Sequence, residues 1–160
     1  MTTSTRIILN ADTIPRVDID FMNNTHVEEI EMVKELGKLV AAYQDSAMPT
    51  ISETNEITQS LEKWLQHTEA HFERENTLMR EINFPVYLVH SGEHEIALDQ
   101  MAGVVKAWQD SNDIEPITEY VFSLWPAWFN SHVDSMDMIT ARFAVMNGFD
   151  SQSTPHEQDL

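Results

Sequence analysis

Seven side chains of this 160-residue chain are of the types and spacings that bind cations: His26; His71 with Glu75; His90 with His94; and His132 with Asp137. On a helix, residues four apart stack on one face, so His71–Glu75 and His90–His94 can each aim two donors at one point. HxxxE or HxxxH alone is a weak signal, and a single histidine more often ends as a hydrogen-bonded core or surface residue. Seven such groups turned inward at one level are another matter. Each costs roughly several kcal/mol to bury unpaired, and cations are the simplest compensation.

The donor set narrows the cation. The chain has no cysteine, which excludes disulfides, iron–sulfur clusters and thiolate zinc sites. Five imidazoles and two carboxylates are too many for one tetrahedral zinc. A hard calcium or magnesium site would not take five histidines. Mixed imidazole and carboxylate suits transition metals, iron among others. If each carboxylate bridges two ions, three histidines complete one coordination sphere and two the other. The second ion then keeps an open position, where a small molecule can bind.

Four helices must position these groups. A 3.6-residue apolar period recurs through the middle of the chain, and only four glycines and six prolines interrupt it. After an arm (1–22), a first helix is expected over about 24–44, capped by Asn23, Asn24 or Thr25, with the stripe His26, Ile30, Val33, Leu36, Val40, Tyr43. A second covers about 55–82 (Ile57, Leu61, Trp64, Thr68, His71, Glu75, Leu78, Ile82), and Asn83, Phe84 and Pro85 make a tight connection. A third covers about 86–109 (Tyr87, His90, His94, Ala97, Met101, Val104, Trp108). A fourth covers about 117–146 (Val121, Trp125, Trp128, His132, Ser135, Ile139, Phe143), with a kink at Pro126 and a stop at Gly148. The expected fold is all-α, an antiparallel up-down-up-down four-helix bundle spanning 23–148, with a disordered polar tail over 149–160.

In such a bundle the candidate ligands meet. His26 opens the first helix, His71 and Glu75 lie late in the second, His90 and His94 open the third, and His132 and Asp137 lie late in the fourth. All four places share the end closed by the turn between the second and third helices. His132 and Asp137 are five apart, about 140° out of line on a regular α-helix, so the spacing predicts a π-type turn between them.

Composition bounds the partners. The net charge is −18, which argues against nucleic acid and anionic membranes. No apolar run approaches the ~20 residues of a bilayer span. The opening segment, MTTSTRIILNADTIP, lacks the basic leader and apolar stretch of a secretory signal, so the expected compartment is the cytoplasm. Oligomeric state is left open.

MNNTH (22–26), HFERE (71–75), HSGEH (90–94) and WFNSHVDSMD (128–137) resemble the motifs of the hemerythrin family, non-haem di-iron proteins that bind oxygen. The resemblance covers about 15–147. It implies two iron ions with an oxo or hydroxo bridge: His90, His94 and His132 on the coordinatively saturated iron, His26 and His71 on the iron with the open site, and Glu75 and Asp137 bridging. Oxygen would bind the open iron as peroxide. Two departures from the family pattern stand out. Phe129 occupies a position where the family commonly has leucine lining the oxygen pocket. The gaps His26–His71 and His94–His132, 45 and 38 residues, are longer than in compact members, which implies helices lengthened by about two turns at the end away from the ligands. There Leu61, Trp64, Trp108, Val121 and Leu124 would extend the core, and that end is the candidate partner surface. Trp128 and Phe129, near His132, are candidate pocket walls. His67, one turn before His71, is expected to hydrogen-bond near the site or lie partly exposed, and His156 to be solvated.

The favoured function is reversible oxygen binding for storage, delivery or scavenging, without catalysis. The alternatives are sensing of oxygen, nitric oxide or redox state through a partner, and di-iron reduction of peroxide or nitric oxide. The ExxH repeat of ferritin-like oxidases and rubrerythrin-type peroxidases is absent.

Overall fold

In the computed structural model, residues 10–155 are described. Every regular element among them is helical: α1 (Asp20–Asp45), α2 (Ile51–Glu81), α3 (Tyr87–Ser111) and a fourth rod of five consecutive pieces. The pieces are α4 (Ile114–Glu119), a π-turn (Tyr120–Leu124), α5 (Trp125–His132), a second π-turn (Val133–Asp137) and α6 (Met138–Met146). Apolar stripes at helical spacing drive their association. Ile30, Val33, Leu36 and Val40 of α1, Ile57, Leu61, Trp64 and Leu78 of α2, Met101, Val105 and Trp108 of α3, and Ile117, Val121, Trp125 and Phe129 of the fourth rod share one buried core. Cross-helix pairs give the directions. His94 pairs with Asn76 and Trp108 with Thr58, so α3 runs against α2. His90 pairs with Thr140 and His94 with His132, so the fourth rod runs against α3. The architecture is the expected four-helix bundle.

The helix starts differ from expectation, each for a local reason. α2 begins before Asn55 because Thr50 and Glu53 form a reciprocal cap: Thr50 Oγ1 accepts from the Glu53 N–H and the Glu53 carboxylate accepts from the Thr50 N–H, both at 3.1 Å. α1 begins at Asp20, inside the expected arm. Its first free N–H donates to Ser151 O at 2.8 Å, and an acidic residue suits a helix N-terminus. Asn23 is therefore not a cap. Its amide straps the arm to the bundle, accepting from Val17 N–H at 2.9 Å and donating to Val17 O at 2.7 Å. Ile14, Val17 and Ile19 of the arm are buried in the core.

The described part of the tail, 149–155, packs against the bundle. Gly148 takes the left-handed conformation (φ 94°) that ends α6. Phe149 then packs edge-on against Phe21 at 6.5 Å, and Pro155 is buried. A polar composition concealed an apolar anchor. His156 lies outside the described residues.

The fourth rod holds two wide turns. The expected one lies between His132 and Asp137. The other, at 120–124, directly precedes the α5 segment whose first turn holds Pro126, so the widened ladder leaves room around the carbonyl that the ring would otherwise strike. These turns also rephase the helix. A regular continuation would bury Ser135, Ile139 and Phe143. Instead Asp137, Thr140, Ala141 and Ala144 are buried and Ile139 is half exposed. Leu124, expected in the extended core, is likewise exposed, whereas Leu61, Trp64, Trp108 and Val121 are buried as anticipated. No helix among the described residues is long and apolar enough to cross a membrane.

Candidate metal centre

The seven predicted residues converge, all buried, from all four rods. α1 delivers His26, α2 His71 and Glu75, α3 His90 and His94, and the fourth rod His132 and Asp137. The five-residue step from His132 to Asp137 is bridged by the π-turn, without which Asp137 would point elsewhere. Two overlapping groups have donor atoms close enough to hold a cation: Glu75 with His90, His94, His132 and Asp137, and Glu75 with His26 and His71.

The Nε2 atoms of His90 and His94 each lie 3.2 Å from that of His132. Two cis donors on one ion with metal–nitrogen bonds of about 2.1 Å are separated by about 3 Å. The two carboxylates each face both ways. Glu75 Oε1 is 3.2 Å from His94 Nε2, while Oε2 is 2.8 Å from His71 Nε2. Asp137 Oδ1 is 3.1 Å from His90 Nε2 and 3.2 Å from His132 Nε2, while Oδ2 is 2.9 Å from His26 Nε2. One oxygen of each carboxylate thus faces the three-histidine group and the other faces the remaining pair. Glu75 Oε1 and Asp137 Oδ1 have no hydrogen-bond partner despite full burial, the condition a bound cation relieves. The residues fit a two-cation centre.

Residues 17–144 match the family model described as hemerythrin HHE cation binding domain. The chain belongs to the hemerythrin family. It is 26% identical over 136 residues to a bacteriohemerythrin of Aquifex aeolicus (strain VF5), covering 85% of this chain and 97% of that one. A bacteriohemerythrin of Ralstonia nicotianae (strain ATCC BAA-1114 / GMI1000) is 31% identical over 107 residues, covering 67% and 76%. No solved structure is significantly similar. Membership makes a metal-binding, oxygen-related function the coarse expectation.

Around this hemerythrin centre, the inward Nε2 atoms leave the Nδ1 atoms facing out, and four of the five meet an acceptor. His90 Nδ1 is 2.7 Å from Thr140 Oγ1, His94 Nδ1 2.9 Å from Asn76 Oδ1, His132 Nδ1 3.0 Å from Glu93 Oε1, and His71 Nδ1 3.2 Å from Glu29 Oε1. Such contacts fix the tautomer that leaves Nε2 free for a metal and hold the ring plane. Only His26 Nδ1 lacks a partner. His26 lines a small cavity of about 30 Å³ beneath the arm, with Ala11, Ile14, Pro15, Asn23 and Ile30 also in its walls. Sequence reasoning missed Glu29, Asn76, Glu93 and Thr140. Glu29 had a readable signal, since it lies three residues after His26 on the same helical face.

The electrostatics of the hemerythrin site follow from packing charges without water. Burial and mutual repulsion push the Glu75 carboxyl up, and burial pushes up Asp137, yet the surrounding imidazoles hold both well below the ordinary carboxylate range. Burial disfavours the charged forms of His71 and His132. The carboxylates override it, raising His71 to about 10 through Glu75 and Glu29, and His132 to about 9 through Asp137 and Glu75. Without metal, protons on imidazoles do the neutralising that cations otherwise do.

The aromatic neighbours are spread over both sides. Trp128 stacks on His132 at 4.6 Å and Phe72 stacks on His94 at 4.1 Å, so both clamp the three-histidine side, and Phe72 also lies tilted against His71 at 5.0 Å. Phe129 stacks on Trp125 at 4.6 Å and stands edge-on to His26 at 5.5 Å, walling the two-histidine side. His67 joins no ligand group and instead pairs with Glu29 and Glu28.

Proposed function

We propose that this hemerythrin holds two iron ions and binds molecular oxygen reversibly, without turning it over. The division of Glu75 and Asp137 between a three-histidine and a two-histidine side carries the reading. His90, His94 and His132 would hold one ion, His26 and His71 the other, and the two carboxylates would bridge them. When bound, the iron pair supplies the electrons and the open coordination position that oxygen needs.

The chain's own residues supply the rest. The ring contacts of His94 and His132 and their outward hydrogen bonds keep the three-histidine side in a fixed geometry. Phe129, fully buried and edge-on to His26, presents apolar surface to the two-histidine side and has no proton to give to a bound guest, which favours holding oxygen over reducing it. The test is metal content together with the optical spectrum of the reduced protein before and after admitting oxygen. Two irons per chain and a visible band that vanishes when oxygen is removed are expected. Direct passage to the oxidised spectrum, with oxygen consumed, would overturn the reading in favour of reduction.

A further inference from the structure

Behind His71 lies a buried carboxylate whose environment is built around it. Glu29 is 1% exposed, and both its oxygens are engaged. Oε2 accepts from Trp64 Nε1 at 2.8 Å. Oε1 accepts from Thr68 Oγ1 at 2.9 Å and faces His67 Nδ1 at 2.9 Å and His71 Nδ1 at 3.2 Å. Four groups from α2 converge on one side chain of α1. Taking a carboxylate out of water carries a large desolvation cost, so a packing role alone would be met better by an apolar residue.

The chain of contacts continues outward. The other nitrogen of His67, Nε2, lies 3.1 Å from Glu28 Oε2, and the Glu28 side chain is 62% exposed. A path of three contacts therefore runs from solvent to a candidate ligand of the two-histidine side: Glu28 to His67, His67 to Glu29, Glu29 to His71. The other histidine of that side, His26, has no such support.

We propose that Glu29 is a positioning residue that sets the donor strength of His71 toward its metal ion, and that His67 moderates it by drawing on the same carboxylate oxygen. A carboxylate accepting the Nδ1–H of an imidazole pushes electron density to Nε2 and makes it a stronger donor. A stronger donor favours the more highly charged state of the ion. His67 faces the same Oε1 as His71, so its hydrogen bond competes for that charge. Glu29 and His67 thus pull the metal in opposite directions, which no packing role would do. The inference rests on His71 being a metal ligand.

The experiment loads wild type and variants with excess ferrous iron and measures metal content and midpoint potential. Glu29→Gln keeps the side-chain shape and removes the charge. It is expected to load two irons, with affinity weakened about 10- to 100-fold and a midpoint potential shifted positive. His67→Phe keeps a ring and removes the competing donor, and its potential is expected to shift negative. Because the amide introduced by Glu29→Gln could turn its own N–H groups toward the Trp64 N–H, the double variant Glu29→Gln, Trp64→Phe removes that mismatch. It must reproduce the positive shift, with Trp64→Phe alone as reference. An unchanged potential in the folded Glu29→Gln proteins, or shifts of the same sign for Glu29→Gln and His67→Phe, would overturn the proposal. Wild type that takes up no iron would instead sink the di-iron reading on which it rests.

Discussion

The two sides of the centre share their carboxylates and differ in what stands behind their imidazoles. On the three-histidine side each Nδ1 meets an acceptor, Thr140, Asn76 or Glu93, and two rings are stacked under Trp128 and Phe72. On the two-histidine side His71 rests on a buried carboxylate, while His26 has an unpartnered Nδ1 beside a cavity under the N-terminal arm. The clamped side suits an ion whose coordination never changes. The other side combines one donor backed by a buried carboxylate with one whose outward nitrogen is unpartnered, and the oxygen-binding reading places the exchangeable position there. Asymmetry of support, more than the count of histidines, is what distinguishes them.

The largest effect should come from removing what the sides share. Glu75→Ala is expected to lose both irons, because each of its oxygens faces a different group of imidazoles. Metal analysis after gel filtration checks this, and retention of two irons would show that the sides are independent. A smaller and one-sided effect is expected for His26→Ala or His71→Ala. Either should abolish the oxygen-dependent band while leaving the three-histidine group, His90, His94 and His132, able to bind metal. A full oxygenated spectrum in either variant would mean that oxygen is not held on the two-histidine side.

The metal-free protein offers a subtler contrast between protons and cations. Burial opposes the charge on His71, but Glu75 and Glu29 push its pKa up to about 10 in the folded chain against an ordinary 6.5. Its stabilisation is therefore full below pH 6.5 and lost as pH rises through about 10. Glu29 is held at about 2 against an ordinary 4.5, because hydrogen bonds from His67 and His71 outweigh the opposing effect of burial. Its contribution is full above pH 4.5 and lost as pH falls through about 2. Metal-free protein should thus be most stable between about pH 4.5 and 6.5. Toward pH 10 it should lose several degrees of melting temperature, about 2–4 °C for each kcal/mol. Metal-loaded protein should do the reverse in acid, since bound ions need unprotonated imidazoles and are released as these take up protons. Parallel melting curves for the two forms across this range would contradict the exchange of protons for cations.

Much of this was legible because the ligand pairs obey helical spacing. His71–Glu75 and His90–His94 announce a shared helix face, and the five-residue step from His132 to Asp137 announces the wide turn that brings both inward. The consequence of that turn was harder to see. An extra residue in the helix rotates everything after it, so Ile139 moved out and Thr140 moved in to meet His90. The turn at 120–124 had only Pro126 to mark it, and Leu124 was misplaced for the same reason. Among the supporting residues, Glu93 and Asn76 were obscure because both are ordinary helix-surface types, and the chain has 27 acidic residues. Only tertiary contact separates them from solvated charge.

The smallest expected effect concerns the wall of the two-histidine side. Phe129 is 1% exposed, stacked on Trp125 and edge-on to His26. Phe129→Leu removes part of that wall without touching any carboxylate or Nε2, so metal content should stay at the wild-type level and stability should fall by about 1 kcal/mol. The shorter side chain opens space beside His26, and oxygen association measured by stopped flow should accelerate a few-fold. The three-histidine side supplies the control: Trp128→Leu unstacks His132 and should loosen metal retention while leaving the association rate unchanged. If Trp128→Leu accelerates oxygen binding and Phe129→Leu does not, the guest enters from the clamped side, and the assignment of the two sides must be exchanged.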